Sequence, residues 1–148
     1  EYFLRGNGFL EDKICACCDL AACRRACGNR NARLFALLKS FDYDAPRPEI
    51  CCDIGEIFFE EKNYPQAIFW YRLAVNMGKK TQTYGFSYPD YSNFIPYMWL
   101  CVCYDRLGDY KRAQYYNDLA GSLKPNHPNY LYNKLYFEQM TNQKGENL

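Results

Sequence analysis

Apolar positions recur at helical spacing in segment after segment of this 148-residue chain, and no stretch alternates with the two-residue period of a strand. The pattern predicts helices over Leu10–Cys27, Asn31–Phe41, Glu49–Glu61, Tyr64–Met77, Asn93–Leu107 and Tyr110–Leu123. A last helix opens at Pro128 and runs to about Met140. It is apolar on one face through Leu131, Leu135 and Tyr136, as a helix that closes a stack requires. Glu1 to about Leu4 reads as the tail of an earlier helix, so a fragment of a longer chain is expected. The closing TNQKGENL, residues 141–148, is expected to fray.

The segments repeat. IGEIFFEEKNYPQAIFWYRLAV, starting at Ile54, lines up with the stretch that ends YDRLGDYKRAQYYNDLAGSLKP, starting at Tyr104. Phe58 matches Tyr104, Tyr64 matches Tyr110, Ala67 matches Ala113 and Ala74 matches Ala120, with Gly55 falling where Cys101 stands. A third copy lies upstream from Leu20, where Gly28 aligns with Gly108 and Ala21 with Gly55. Thus 34 residues separate Ala21 from Gly55 and 46 separate Gly55 from Cys101, which leaves an insertion between the second and third copies.

This pattern resembles the tetratricopeptide repeat, a helix–turn–helix unit. Small residues let its two helices approach closely, and aromatic residues fill the space beside them. The resemblance implies an all-α antiparallel solenoid. Its parts are the end of a preceding repeat (1–9), three repeats (10–47, 48–77 and 94–127), an aromatic insertion (78–93), a capping helix (128–140) and a tail (141–148). Gly108 is placed to end a helix in the left-handed region, and Asp109 to cap the next, as Asn63 does in the second unit with Pro65 in its first turn. Three positions depart from the pattern. Lys62 replaces the inter-helix glycine of the second unit. Arg24 stands where tyrosine is usual and Arg33 where the second helix wants alanine, so the first unit is expected to be loosely packed at that corner.

Composition narrows the function classes. Lys plus Arg total 18 and Asp plus Glu 17, a balance without the basic excess of a nucleic-acid-binding surface. No apolar run approaches the roughly 20 residues of a membrane span. The nine cysteines are odd in number and helically spaced, which predicts buried free thiols and a reducing, cytoplasmic setting. Cys15, Cys18, Cys23 and Cys27 are the one conceivable zinc cluster, but a straight helix spreads them over about three turns. No metal or cofactor is expected. Asp42 and Asp44 have the DxD form of a sugar-nucleotide metal site, yet follow a helix and precede Ala45-Pro46 as a turn would. His127 lies alone in a turn, and nothing forms a nucleophile elbow or a phosphate loop. No catalytic residue is assigned.

The repeat resemblance directs attention to the concave face that the first helices line. Projecting its inner positions gives Arg25 in the first unit, then Glu49, Cys52, Glu56, Phe59 and Glu60 in the second. The third unit supplies Met98, Val102, Asp105 and Arg106. This groove lacks the Lys and Asn set with which chaperone-binding members hold a carboxylate. It suits a segment with basic and apolar side chains, unless the charges merely solvate the face. The insertion carries Tyr84, Phe86, Tyr88, Tyr91 and Phe94. These either fold back as local core or form a contact patch, with Tyr84, Phe86, Tyr88 and Tyr91 the subunit-contact candidates.

Joined together, YDAPRPEICCDIGEIFFEEKNYPQAIFWY, the insertion, FIPYMWLCVCYDRLGDYKRA and HPNYLYNKLYFE are similar to the C-terminal tetratricopeptide region of bacterial family-2 glycosyltransferases. That resemblance implies a non-catalytic interaction or oligomerisation module whose parent carries the nucleotide-sugar chemistry. Its partner would be a protein or peptide, the parent catalytic domain or a second copy of the chain. The alternative is a free-standing adaptor that binds a peptide in its groove.

Overall fold

The computed structural model describes residues 9–78 and 88–145. These form α1 (Leu10–Ala26), α2 (Arg30–Lys39), α3 (Pro48–Glu60), α4 (Tyr64–Gly78), α5 (Phe94–Arg106), α6 (Tyr110–Leu123) and α7 (Pro128–Gly145). Helices pair as α1 with α2, α3 with α4 and α5 with α6. Then α2 packs on α3, α4 on α5 and α6 on α7. The architecture is an all-α solenoid of three helix–turn–helix units and a closing helix. No described helix is long and apolar enough to cross a membrane.

The three turns inside the units are built alike. Gly28, Lys62 and Gly108 lie at positive φ (67°, 58° and 76°). The N–H of each donates back three residues, to Arg25, Phe59 and Asp105 O, every bond at 2.9 Å. The next residue's N–H reaches back five, to Arg24, Phe58 and Tyr104 O, also at 2.9 Å. This paired closure satisfies the last carbonyls of the first helix. That next residue is Asn29, Asn63 or Asp109, and its side chain accepts from Ala32, Gln66 or Arg112 N to start the second helix.

Close helix approach is set by small residues. A Cβ on Gly55 would stand 2.8 Å from Tyr71 Cε1, and one on Gly121 would overlap the Tyr130 ring. Tyr71 is fully buried and stacks on Trp99 of the next unit at 5.8 Å, while Tyr104 stacks on Tyr116 at 5.5 Å. Each aromatic fills the volume that a small neighbour leaves open.

Several expectations need correction. The helix of the second half of unit 1 begins at Arg30 and ends in a 3-10 turn over Ser40–Asp42. The last helix continues to Gly145 instead of ending near Met140, and its Leu131 and Leu135 are exposed, not packed inward. Tyr136 does pack against the core, together with Tyr130 and Phe137. The corner at Arg33 is not loose, because that side chain fills it at 4% exposure. Cys17, Cys51, Cys52, Cys101 and Cys103 are buried free thiols, but Cys15 and Cys23 on α1 and Cys27 just after it are exposed. Glu1–Leu4 and residues 146–148 lie outside the described residues.

Lys62 bears a Cβ in a backbone region that disfavours one. Lys62→Gly is expected to stabilise the chain by about 0.5–1 kcal/mol, read as a higher urea midpoint at unchanged m-value.

Candidate functional site

The face made by α1, α3, α5 and α7 brings most of the sequence-derived groove residues together in two patches. The first is charged and spans units 1 and 2. Arg33 reaches from α2 between the first helices, and its Nη2 lies 2.5 Å from Glu56 Oε2 while Nη1 lies 3.2 Å from Glu60 Oε2. Arg25 approaches the same carboxylates from α1, at 2.8 Å from Glu56 Oε1 and 3.6 Å from Glu60. Arg33 is sequestered, whereas the Arg25 side chain is 53% exposed. Beside them sits Asp53, whose carboxyl burial pushes its pKa up to about 6 despite attraction from Arg33 and Arg25. Glu49 and Glu56 add repulsion in the same direction. A residue that seemed a packing fault is thus the cation that binds the acidic row of α3 to the first unit.

The second patch is apolar. Phe94, Ile95, Met98, Trp99 and Val102 of α5, with His127 and Tyr132 at the α7 end, surround a cavity of about 410 Å³. Phe59 joins the two patches. Its ring lies 4.8 Å from Trp99 and 5.6 Å from Tyr64. His127 packs on the Phe94 ring at 4.7 Å, and its Nδ1 accepts from Asn129 N.

Other candidates serve the fold. Cys52 is buried and its thiol donates to Tyr91 O at 3.6 Å, so it does not line the groove. Asp105 is half-buried and Arg106 is exposed. Asp42 pairs with Lys39 at 2.5 Å and Asp44 with Arg47 at 3.0 Å, so each aspartate has its own cation. Among the described residues no group of three or more His, Cys, Asp or Glu could hold a metal ion.

At the end of the insertion, Pro89–Ser92 forms a 3-10 turn against α3, α4 and α5. Tyr91 is half-buried against the core, whereas Tyr88 is 60% exposed and meets Tyr91 edge-on at 6.2 Å. Asp90 pairs with Lys124, which also lies over the Phe94 ring. Tyr84 and Phe86 lie outside the described residues.

Arg33, Asp53, Trp99 and Tyr132 escaped the sequence reading. A signal existed for Arg33, because a long cation at a small-residue position demands an acidic partner nearby. For the cavity the repeat pattern gave Met98 and Val102 but not the wall that α7 brings from a distant part of the sequence.

No family model matches the chain, and no curated protein sequence does. Solved structures do match. The N-terminal domain of stress-induced protein-1 from C. elegans superposes with a TM-score of 0.76 at 14% identity, over 89% of this chain and 99% of that one. The first TPR of Spaghetti (RPAP3), solved bound to the HSP90 peptide SRMEEVD, gives 0.71 at 15% identity, over 88% and 96%. The fold is that of tetratricopeptide repeat domains.

Asp53 supplies a pH signature. Its folded pKa of about 6 exceeds the ordinary 3.8, so between these values the folded chain holds a proton that the unfolded chain has released. Stability from this group therefore falls as pH rises through that window. Asp53→Asn is expected to stabilise the chain by about 1–3 kcal/mol at pH 7.5, with the gain shrinking as pH falls below 6, in paired urea titrations.

Proposed function

We propose that this chain is a non-catalytic interaction module that takes a peptide segment with a basic residue followed or preceded by an apolar anchor. The observation that carries this reading is the junction of an acidic row with an apolar cavity. Glu49, Asp53, Glu56 and Glu60 outnumber Arg25 and Arg33, and Phe59–Trp99 leads from them to the Met98 cavity. A ligand cation would find exposed carboxylate at Glu60, whose side chain is half exposed. An aliphatic or aromatic side chain would fill the cavity and supply most of the affinity. RPAP3's TPR holds an acidic peptide on a similar backbone. The charge balance here favours the opposite sign.

The test is a positional-scanning peptide library read by fluorescence anisotropy, with SRMEEVD measured alongside. Selection of Lys or Arg with Phe, Leu or Met is expected. Glu60→Lys and Met98→Asp should each weaken the selected peptide about tenfold or more. Equal or tighter binding of the acidic segment MEEVD, which lacks the arginine of SRMEEVD, would overturn the reading.

For the parent chain, the reading is an accessory region of a cytoplasmic, bacterial family-2 glycosyltransferase that positions a polypeptide acceptor or a second enzyme chain. Its support is the FIPYMWLCVCYDRLGDY block and the free thiols. The coding region upstream of Glu1 is expected to specify a strand-rich domain of about 200–250 residues with a DxD after a strand. A start codon only one or two repeats upstream would make the protein a free adaptor with the same groove.

A further inference from the structure

The acidic row of α3 is served by arginines over only half its length. Glu49, Asp53, Glu56 and Glu60 follow one another at steps of four, three and four residues, so they form one stripe along the helix. Arg33 and Arg25 pair with Glu56 and Glu60. Towards Asp53, Arg33 reaches only the main-chain oxygen, 3.5 Å from its Nη2. No described residue forms an ion pair with the carboxylate of Glu49 or Asp53.

The groups around Asp53 come from every neighbouring element. Cys18 and Arg25 belong to α1, Arg33 to α2, Tyr71 to α4 and Tyr91 to the turn over Pro89–Ser92, while α3 itself adds Glu49, Cys52 and Glu56. Burial pushes both thiols and both tyrosines up, so none of these four takes a charge below pH 7. Cys52 commits its thiol to Tyr91 O. Tyr71 reaches across to α3, where its Cζ would stand 2.9 Å from a Cβ on Gly55. Its hydroxyl is buried there with no partner among the described residues, within electrostatic reach of Asp53 and Glu56. The groove floor beside Gly55 thus holds a half-buried carboxyl with no cation and a buried hydroxyl with no hydrogen bond. A carboxyl so placed avoids an uncompensated charge either by keeping a proton or by meeting a cation. Asp53 by itself keeps the proton up to about pH 6, because burial outweighs the attraction of Arg33.

We propose that Asp53, with Glu49 one turn away, seats a second basic residue of the groove's ligand and releases its proton to solvent as that residue arrives. This rests on the groove reading above, in which Glu60 meets the first cation. The exchange is balanced: the carboxyl O–H gives its proton to water, and the carboxylate left behind pairs with an ammonium or guanidinium that keeps all of its own protons. The spacing of the ligand's cations follows from the helix. Seven residues separate Asp53 from Glu60, a rise of roughly 10 Å. An extended peptide covers that distance in about three residues. The ligand therefore carries basic side chains three positions apart, and its affinity rises with pH as Asp53 ionises.

The probes are two N-acetylated, C-amidated peptides, FLGKGGKG and FLGKGGQG, titrated calorimetrically against the full chain. Neither carries a group that titrates between about pH 5 and pH 7. The second lysine is expected to tighten binding about tenfold at pH 7 and only about twofold at pH 5. At pH 5.5, buffers of different ionisation enthalpy should report about half a proton released by the two-lysine peptide and none by the other. Asp53→Asn removes a carboxyl whose burial opposes folding, so the variant folds, and in it the gain from the second lysine should vanish. No gain at pH 7, a gain of equal size at both pH values, or one that Asp53→Asn retains would overturn this inference and leave the groove reading standing. Binding of neither peptide at pH 7 would overturn both.

Discussion

The molecule depends on how closely the two helices of a unit can approach. Gly55 has no Cβ because Tyr71 occupies its place, and Tyr71 in turn stacks on Trp99 of the next unit. One missing carbon therefore sets both the spacing within the second unit and the seating of the third. The same device recurs where Gly121 receives Tyr130, which seats α7 on the stack. Interiors packed at crystal-like density transmit such a constraint because no neighbour has room to yield. Tyr71 accepts a cost for this position, since its hydroxyl is buried without a partner.

The first unit adds a polar contact of its own. Where the later units place Ala67 and Ala113, it has Arg33, and its ion pairs to Glu56 and Glu60 of α3 stand beside an apolar seam of Ala36, Leu37, Ile50, Ile54 and Ile57. A buried guanidinium contributes only when its donors are satisfied, and two glutamates supply that. The consequence reaches the groove, because the carboxylates that satisfy Arg33 also line its floor. Packing and recognition are thus coupled through Glu56 and Glu60. Arg25 is the exposed member of the set, and it lies where an incoming cation would compete.

Helix positions, the turns at Gly108-Asp109 and Asn63, and the three-unit count were legible because local chemistry specifies them. Capping side chains, left-handed residues and small-residue spacing act within a few residues of each other. The acidic row of α3 was legible for the same reason, as one face of one helix. Arg33 was misread because its partners lie on another unit, and Cys52 because its cover, Tyr91, arrives from the far end of the insertion.

The sequence by itself determined an all-α repeat, its register and the residue types that face inward, since these follow from periodicity and local hydrogen bonding. Only the tertiary structure decided which faces remain open. The apolar stripe of α7 illustrates the difference. Leu131, Leu135 and Tyr136 promise a buried face by pattern alone. Burial, however, is a property of the neighbour, and the side of α7 that α6 and α5 reach is the one with Tyr130, Asn133, Tyr136 and Phe137, so only Tyr136 of the three is covered. The apolar cavity follows the same logic, because its walls meet only after two units have stacked and no single segment carries its shape.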